Sequence, residues 1–233
     1  MKKLIVFTGA GISAESGLST FRDNGGLWDN YDINEVATPE AWDSNPRLVL
    51  DFYNLRRENA FAALPNLAHQ SIAELEDCYD VHVITQNIDN LHERGGSSKV
   101  LHLHGEVDKV RSVGTNKVYK HGDKPLNYGD LCPDGFQLRP HIVWFGESVP
   151  NLGVADEIVK KADFFIVTGT SLNVYPAAGL VHVAPENSIK FLVDPSDEIK
   201  VPFIKNLTIL KENATSGIPK IVSQLKEETL KNQ

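Results

Sequence analysis

Short apolar runs alternate along the chain with stretches whose apolar residues have helical spacing. Several of the runs are apolar at every position, which is typical of parallel strands buried between two layers of helices. This alternation predicts an α/β fold, in which a Rossmann-like parallel sheet carries helices on both faces. The six predicted strands are residues 4–7, 81–84, 100–103, 164–167, 189–193 and 207–210.

Two stretches interrupt the alternation. Residues 30–66 have helical spacing, and Asn45 followed by Pro46 is a helix start. Residues 107–139 are polar, rich in glycine and without a long apolar run. A last helix is predicted from Ser216 onward. The predicted organisation is a Rossmann-like domain (1–29, 67–106 and 140–233), a helical insertion (30–66) and a small inserted module (107–139).

Composition and charge narrow the class of protein. Of the 233 residues, 41% are hydrophobic and 23% are charged, as in ordinary globular proteins. The net charge of -8 disfavours nonspecific electrostatic binding to nucleic acid or anionic lipid. No apolar run approaches the roughly 20 residues of a membrane span, and residues 4–7 are too short for an export signal. The two cysteines, Cys78 and Cys132, exclude a disulfide framework. We therefore expect a cytoplasmic protein, without a membrane or nucleic-acid partner.

A glycine turn follows the first predicted strand. Gly9, Gly11 and Ala14 satisfy the pattern G-x-G-x-x-A, in which the glycines allow a tight turn and close approach to a pyrophosphate, and the alanine allows close helix packing. A glycine turn that serves only the backbone is the alternative. A dehydrogenase would carry an acidic residue after a second strand about 20 residues later. Residues 24–29 are a predicted loop instead, which favours a dinucleotide bound for a reaction other than hydride transfer.

Five motifs occur in a characteristic order, and four of them follow predicted strands. They are Gly9 to Ser13 with Ser16, Gly17 and Thr20 to Arg22; Gln86 to Asp89; His104 and Gly105; Val143 to Glu147; and Gly169 to Ser171. Together they cover nearly the whole chain and resemble the sirtuin family, most closely the bacterial lysine deacylases that also remove acidic acyl groups. The carboxyl ends of parallel strands meet at one edge of a sheet, so these motifs are expected to converge.

The resemblance implies NAD-dependent deacylation of protein lysine side chains, in which nicotinamide leaves and the acyl group ends on ADP-ribose. It assigns the general base to His104, the ribose to Asn87 and the nicotinamide carboxamide to Asp89. Phe21 would shield the sugar and Arg22 would lie near the phosphates. The other implied NAD-binding residues are Gly9, Ala10, Gly11, Ser13, Ala14, Trp28, Gln86, Ile88, Gly169, Thr170, Ser171, Asp194 (or Leu192) and Ala214.

Some of these residues have simpler interpretations. His102 and His104 share a strand face, so they could be a metal pair or two structural histidines. Asn87 and Asp89 could cap a helix. With the resemblance, His104 is the base and His102 a structural neighbour. The alternative activities are plain NAD-dependent deacetylation, ADP-ribosylation of a protein and hydrolysis of NAD, and an NAD or ADP-ribose sensor is the alternative without catalysis.

The predicted helix after Pro46 carries a candidate acyl-binding pair. Tyr53 and Arg56 are three residues apart and hence on one helical face, beside a predicted apolar stripe. A phenol and a guanidinium can grip a carboxylate, and the spacing matches the sirtuins that accept succinyl-lysine and malonyl-lysine. Arg57 is predicted to be solvated. The predicted stripe is Leu48, Phe52 and Leu55, and a predicted substrate-pairing strand is Val143, Trp144, Phe145, Gly146 and Glu147.

The small module departs from the family. Most sirtuins bind a structural zinc ion there with four cysteines, whereas residues 107–139 retain Cys132 with His121 nearby. A closed zinc site needs four ligands, so we predict NAD as cofactor and no zinc. An apolar cluster of Tyr119, Tyr128 and Leu131 is the predicted replacement. The expected partners are acylated lysines of protein substrates, and we expect a monomer.

Overall fold

The computed structural model of the protein describes residues 1–20, 31–170, 172, 177–196 and 204–231. The strands are β1 (Lys3–Thr8), β2 (Asp80–Thr85), β3 (Val100–His102), β4 (Gly105–Ser112), β5 (Val118–Lys120), β6 (Leu138–Ile142), β7 (Phe164–Thr168), β8 (Ile189–Val193) and β9 (Leu207–Leu210). The helices are α1 (Gly11–Ala14), α2 (Ile33–Val36), α3 (Pro39–Ser44), α4 (Pro46–Ala62), α5 (Leu67–Glu74), α6 (Leu91–Arg94), α7 (Leu152–Val159) and α8 (Ala214–Lys231), with 3-10 turns at Leu75–Asp77 and Ala177–His182.

The main sheet has six parallel strands in the order β3-β2-β1-β7-β8-β9. All six predicted strands are confirmed to within one residue at each end. Leu4 and Val6 pack on one face with α5 and α8, whereas Ile5 and Phe7 pack on the other face with α7. Both faces are therefore covered by helices, and the predicted α/β Rossmann-like class is confirmed.

The second sheet is antiparallel and small, with β4 between β5 and β6. Helix α4 lies against it and begins at Pro46, where the Asn45 side chain accepts a hydrogen bond from the Leu48 amide at 3.2 Å. The side chain of Asn54 makes two hydrogen bonds to the backbone of Leu126. The Asn54 side-chain amide donates to the Leu126 carbonyl at 2.9 Å, and the Asn54 side-chain oxygen accepts from the Leu126 amide at 2.8 Å. This pair of bonds joins the helical insertion to the small module.

Two sequence predictions about apolar residues are wrong. In the predicted stripe, Phe52 is buried and Leu48 packs beside it, but Leu55 is 36% exposed. The buried face of α4 consists of Val49, Leu50, Phe52, Tyr53, Arg57 and Ala60. In the small module, Tyr128 and Leu131 are exposed. The apolar cluster forms instead on Leu50, Val110 and Leu126, with Tyr119 at its edge. Helix α4 crosses this sheet and covers these residues, a contact that local spacing does not show.

The last helix begins two residues earlier than predicted. Its first turn is capped by the Glu15 carboxylate, which accepts hydrogen bonds from the Thr215 amide at 3.2 Å and the Thr215 hydroxyl at 2.6 Å. Glu15 is distant in sequence, so this cap is a tertiary contact. No helix in the described ranges has an apolar stretch that could cross a membrane.

Candidate active site

A cavity of about 620 Å³ opens at the carboxyl ends of β1, β2, β7 and β8. The sheet order runs from β1 in both directions, so the cavity lies where an open α/β sheet changes direction, which is where such sheets bind ligands. Helix α4 and the segment 142–147 close its other side. Residues that are distant in sequence therefore line the same cavity.

The glycine turn packs against the end of β7. The Gly11 amide donates to the Gly169 carbonyl at 2.8 Å, and a Cβ at Gly9 would lie 2.6 Å from that same oxygen. Gly169 has φ +65°, and a Cβ there would lie 2.2 Å from the Ile12 nitrogen. The glycines are thus required by contact between two backbones. The close helix packing predicted for Ala14 is made by Ile12 instead, which is buried in the core. Ala14 is half-buried and lines the cavity.

The loop after β2 is held by the glycine turn. The Asn87 side-chain amide donates to the Gly9 carbonyl and to the Ser13 hydroxyl, each at 3.1 Å. Gln86 donates to the Thr170 hydroxyl at 3.1 Å. The loop therefore connects the ends of β1, β2 and β7. Its amide and carboxylate groups, with the hydroxyls of Ser13 and Thr170, suit the riboses and carboxamide of a dinucleotide such as NAD.

Asp89 is buried and lines the cavity. It accepts hydrogen bonds from the Ser13 hydroxyl at 3.2 Å and from the Leu91 amide at 3.1 Å, so it caps α6 as well as lining the cavity. Burial raises the pKa of Asp89 above its usual value, and these hydrogen bonds oppose that rise. Ser13, which is 1% exposed, binds both Asn87 and Asp89. The sequence motif included Ser13 but did not show this role.

His104 has a defined tautomer. Its Nδ1 atom lies 3.1 Å from the Gln86 carbonyl oxygen, which can only accept, so Nδ1 carries the hydrogen and Nε2 is an acceptor in the neutral ring. Burial lowers the pKa of His104, which keeps the ring neutral at neutral pH. A neutral imidazole with an available ring nitrogen in the cavity can act as a general base.

Tyr53 and Arg56 lie on the α4 side of the same cavity. Burial raises the pKa of Tyr53 to about 12, so its phenol keeps its proton. Asn59 and Ala60 also line this side, and sequence reasoning missed them. Their spacing of three and four residues from Arg56 places them on the same helical face, and this signal could have identified them.

The segment from Val143 to Glu147 is not the predicted strand. Strand β6 ends at Ile142, and the Glu147 amide donates to the Trp144 carbonyl at 3.0 Å, which closes a turn with Gly146 at φ +91°. The Phe145 amide donates to the Ala37 carbonyl at 3.0 Å. These contacts bend the segment into a turn. Its pairing with the backbone of a substrate stays a prediction.

Glu147 holds this turn in place with two arginines. Its carboxylate accepts hydrogen bonds from Arg139 at 2.9 Å, from Arg111 at 2.7 Å and from the Trp144 amide at 2.8 Å. The Arg139 guanidinium also lies over the Trp144 ring, 3.2 Å from its centroid. Since Arg111 belongs to β4 and Arg139 to β6, the small sheet fixes one wall of the cavity.

The prediction that Arg57 is solvated is wrong. Arg57 is fully buried, and its Nε atom donates to the Val107 carbonyl at 2.9 Å. Its Nη1 atom donates to the Asn54 side-chain oxygen at 2.7 Å. Burial lowers its pKa to about 10, against the attraction of Asp108. The residue points toward β4 because its helical face is one position away from that of Arg56.

The structure brings most of the predicted site residues together. Phe21, Arg22, Trp28 and Ser171 lie outside the described residues. The predicted residues that line the cavity are Gly9, Ala10, Gly11, Ser13, Ala14, Tyr53, Arg56, Gln86, Asn87, Ile88, Asp89, His104, Val143, Trp144, Phe145, Gly146, Glu147, Gly169, Thr170, Asp194 and Ala214.

The position of the family's zinc site has different chemistry here. Cys132 is buried, and its Sγ atom donates to the Ser112 hydroxyl at 3.4 Å. His121 Nε2 lies 3.4 Å from the Pro125 carbonyl. Among the residues that the structure describes, no three His, Cys, Asp or Glu side chains are grouped to hold a metal ion. The absence of zinc stays a prediction.

The convergence of a glycine turn and polar strand ends on one cavity defines the class as a dinucleotide-binding α/β enzyme. The profile of the Sir2 family matches residues 9–176, and the chain belongs to this family. An NAD-dependent protein deacylase of Bacteroides thetaiotaomicron is 50% identical over 227 residues, with coverage of 95% of this chain and 97% of the relative. One of Helicobacter pylori is 49% identical, with coverage of 99% and 100%.

Solved structures agree with this assignment. A complex of a Sir2 homologue with NAD has a TM-score of 0.87 at 38% identity, with coverage of 98% of this chain and 91% of that one. A Sir2 complex with a p53 peptide and NAD has a TM-score of 0.74 at 33% identity, with coverage of 97% and 92%. The identification as a sirtuin is therefore confirmed.

Proposed function

We propose that this enzyme, an NAD-dependent protein deacylase, removes succinyl and malonyl groups from lysine side chains in addition to acetyl groups. The observation that carries the proposal is the position of Tyr53 and Arg56 in the same cavity as His104. A succinyl or malonyl group ends in a carboxylate, whereas an acetyl group ends in a methyl group. A phenol and a guanidinium on one helical face suit the carboxylate.

The charges around the cavity support an anionic acyl group at this end. Arg56 is the only Lys or Arg side chain among the described residues that line the cavity. Burial lowers its pKa, and the attraction of Tyr53 and Asp89 opposes this, so the guanidinium remains charged at neutral pH. Tyr53 stays protonated and can donate a hydrogen bond. Both groups are thus donors in the state that a carboxylate requires.

The chain's own residues have separate tasks in the reaction. When bound, NAD supplies the ribose carbon that loses nicotinamide and accepts the acyl oxygen. His104 Nε2 is available to take a proton from a ribose hydroxyl, because Nδ1 is used by the Gln86 carbonyl. Asn87 and Asp89 are fixed by Ser13 and would orient the nicotinamide end. The peptide-bound relative supports protein substrates.

The test compares succinyl-lysine and acetyl-lysine peptides with wild type, Arg56→Met and Tyr53→Phe. Removal of one partner of a desolvated charged hydrogen bond costs roughly 2–5 kcal/mol, so kcat/KM for the succinyl peptide should fall roughly 30-fold to 4000-fold in Arg56→Met. Acetyl-lysine turnover should be retained. The matched control is Arg47→Met, an exposed arginine on the same helix. Equal succinyl turnover by wild type and Arg56→Met contradicts the proposal.

The same assay separates deacylation from the alternative activities. Nicotinamide release and peptide mass are followed together, with and without NAD. Nicotinamide without deacylated peptide would indicate ADP-ribosylation or NAD hydrolysis. Location in the cytoplasm and a monomeric state stay predictions.

A further inference from the structure

The side chain of His102 makes a hydrogen bond on each side of its ring. The residue ends β3, and its side chain is 5% exposed. Nδ1 lies 2.8 Å from the Asn87 carbonyl oxygen, and Nε2 lies 2.8 Å from Oε1 of Glu93. His102 thus connects the loop after β2 to helix α6.

These two partners determine the charge of the ring. A carbonyl oxygen and an ionised carboxylate only accept hydrogen bonds, so both ring nitrogens must donate, and the ring is an imidazolium. Glu93 is 40% exposed in its side chain. Burial is the largest single influence and would raise the pKa of Glu93, but the hydrogen bond and the charge of His102, together with a backbone hydrogen bond and Lys109, lower it. Burial alone would lower the pKa of His102, but Glu93 and the Asn87 carbonyl raise it.

His102 and His104 hold consecutive carbonyl groups of one loop. His104 Nδ1 donates to the Gln86 carbonyl, and His102 Nδ1 donates to the next carbonyl, that of Asn87. The difference is charge: His104 meets one acceptor and has a lowered pKa, whereas His102 meets a carboxylate as well. The positive charge of His102 also acts on Asp89, whose carboxylate it favours.

We propose that His102, as an imidazolium held by Glu93, is a positioning residue that fixes Asn87 and Asp89 for NAD binding. The proposal rests on the assignment of the loop from Gln86 to Asp89 to NAD. His102 touches the backbone of that loop and does not line the cavity. Its effect is therefore exerted through Asn87 and Asp89.

The charged groups around the ring determine the pH dependence. Glu93 on α6 and Glu106 on β4 favour the imidazolium. His92 on α6 is kept neutral by burial, and Lys109 on β4 acts on Glu93. The pKa of His102 is raised in the folded state. Both of its hydrogen bonds, to Glu93 and to the Asn87 carbonyl, are therefore complete below about pH 6.5, the pKa of an unperturbed histidine. The bond that needs the second ring proton is lost as pH rises through the higher folded-state pKa.

The test measures the NAD dissociation constant by calorimetry and the histidine ring by ¹⁵N NMR, from about pH 6 to about pH 9. At the acidic end, we expect two ring N–H protons on His102 in wild type. Toward the alkaline end, the affinity of wild type for NAD should fall about tenfold, because NAD binds more tightly when the ring is charged. In His102→Gln the affinity should be about tenfold weaker at the acidic end and independent of pH. In Glu93→Gln the fall should move to lower pH.

A control and a second variant keep the test decisive. His82→Gln replaces a histidine on β2 that does not line the cavity, and it should follow wild type. If His102→Gln does not fold, Glu93→Gln gives the same test from a half-exposed position. Unchanged NAD affinity in both variants, or one ring N–H proton on His102, would overturn the proposal, whatever their deacylase activity.

Discussion

The nucleotide end and the acyl end of the cavity are built in different ways. At the nucleotide end, the contacts are made to the backbone: the Gly11 amide donates to the Gly169 carbonyl, and the Asn87 side chain donates to the Gly9 carbonyl. At the acyl end, buried charged side chains join elements: Arg57 connects α4 to β4, and Glu147 joins Arg111 to Arg139.

This difference determines how each end tolerates change. Backbone contacts depend on the absence of a side chain, so even a methyl group is disruptive where it would touch a main-chain atom. Side-chain contacts depend on a buried polar partner, so truncation leaves an acceptor unpaired. Four motifs of adjacent residues describe the nucleotide end. The acyl end depends on residues from α4, β4, β6 and the turn from Trp144 to Glu147.

The largest expected effect is on catalysis at the nucleotide end. His104→Ala removes the general base and should lower kcat about 10²-fold to 10⁴-fold, measured as nicotinamide release with an acetyl-lysine peptide. The free energy of unfolding should change little, since the His104 side chain makes one hydrogen bond, to the Gln86 carbonyl. Wild-type kcat should fall only when pH drops below the usual pKa of histidine, because the pKa of His104 is lowered. Retained deacylation by the variant would exclude His104 as the base.

The next effect tests the backbone contact itself. Gly169→Ala places a Cβ 2.2 Å from the Ile12 nitrogen at φ +65°, and overpacking with left-handed strain should destabilise the fold by roughly 2–5 kcal/mol. The measurement is the free energy of unfolding by urea, together with the rise in Tm on addition of NAD, which should be lost. Gly153→Ala is the control, since nothing lies within 4 Å of its Cβ on helix α7. Normal stability and NAD binding in Gly169→Ala would remove the contrast.

A smaller effect is expected at the acyl end. Arg57→Met leaves the Val107 carbonyl without its donor inside the protein, which should cost about 1–3 kcal/mol in the free energy of unfolding. Arg47→Met on the same helix should cost less than about 1 kcal/mol, because Arg47 is exposed and contacts the Tyr128 ring. Equal urea midpoints for the two variants would show that Arg57 does not join α4 to the small module.

The strands were predictable because their signal is local. Residues 4–7 and 164–167 are apolar at every position, and burial on both faces leaves few other arrangements for such runs. The start of α4 was also predictable, because Asn45 caps it within its own sequence. The start of α8 was not, since its cap is the carboxylate of Glu15, 200 residues away in the sequence.

The site divides along the same line. Sequence motifs identified Gln86 to Asp89 and His104, because a Rossmann-like sheet must bring strand ends together. They did not show that the segment from Val143 to Glu147 is a turn, since that depends on two arginines from the small sheet and the backbone of Gly146. Sequence reasoning also placed Arg57 in solvent. Neighbouring residues on a helix point in different directions, so Arg56 lines the cavity whereas Arg57 is buried against β4.

By itself, the sequence determined the α/β class, the order of the motifs along the chain, the family and most of the residues that meet at the cavity. Only the tertiary structure decided which charged groups are buried and what they touch. The fully buried Arg57, the imidazolium of His102 and the Glu147 turn are all examples. Local patterns record which surfaces avoid water, whereas a buried charge is stable only where the fold brings a distant partner within hydrogen-bond distance.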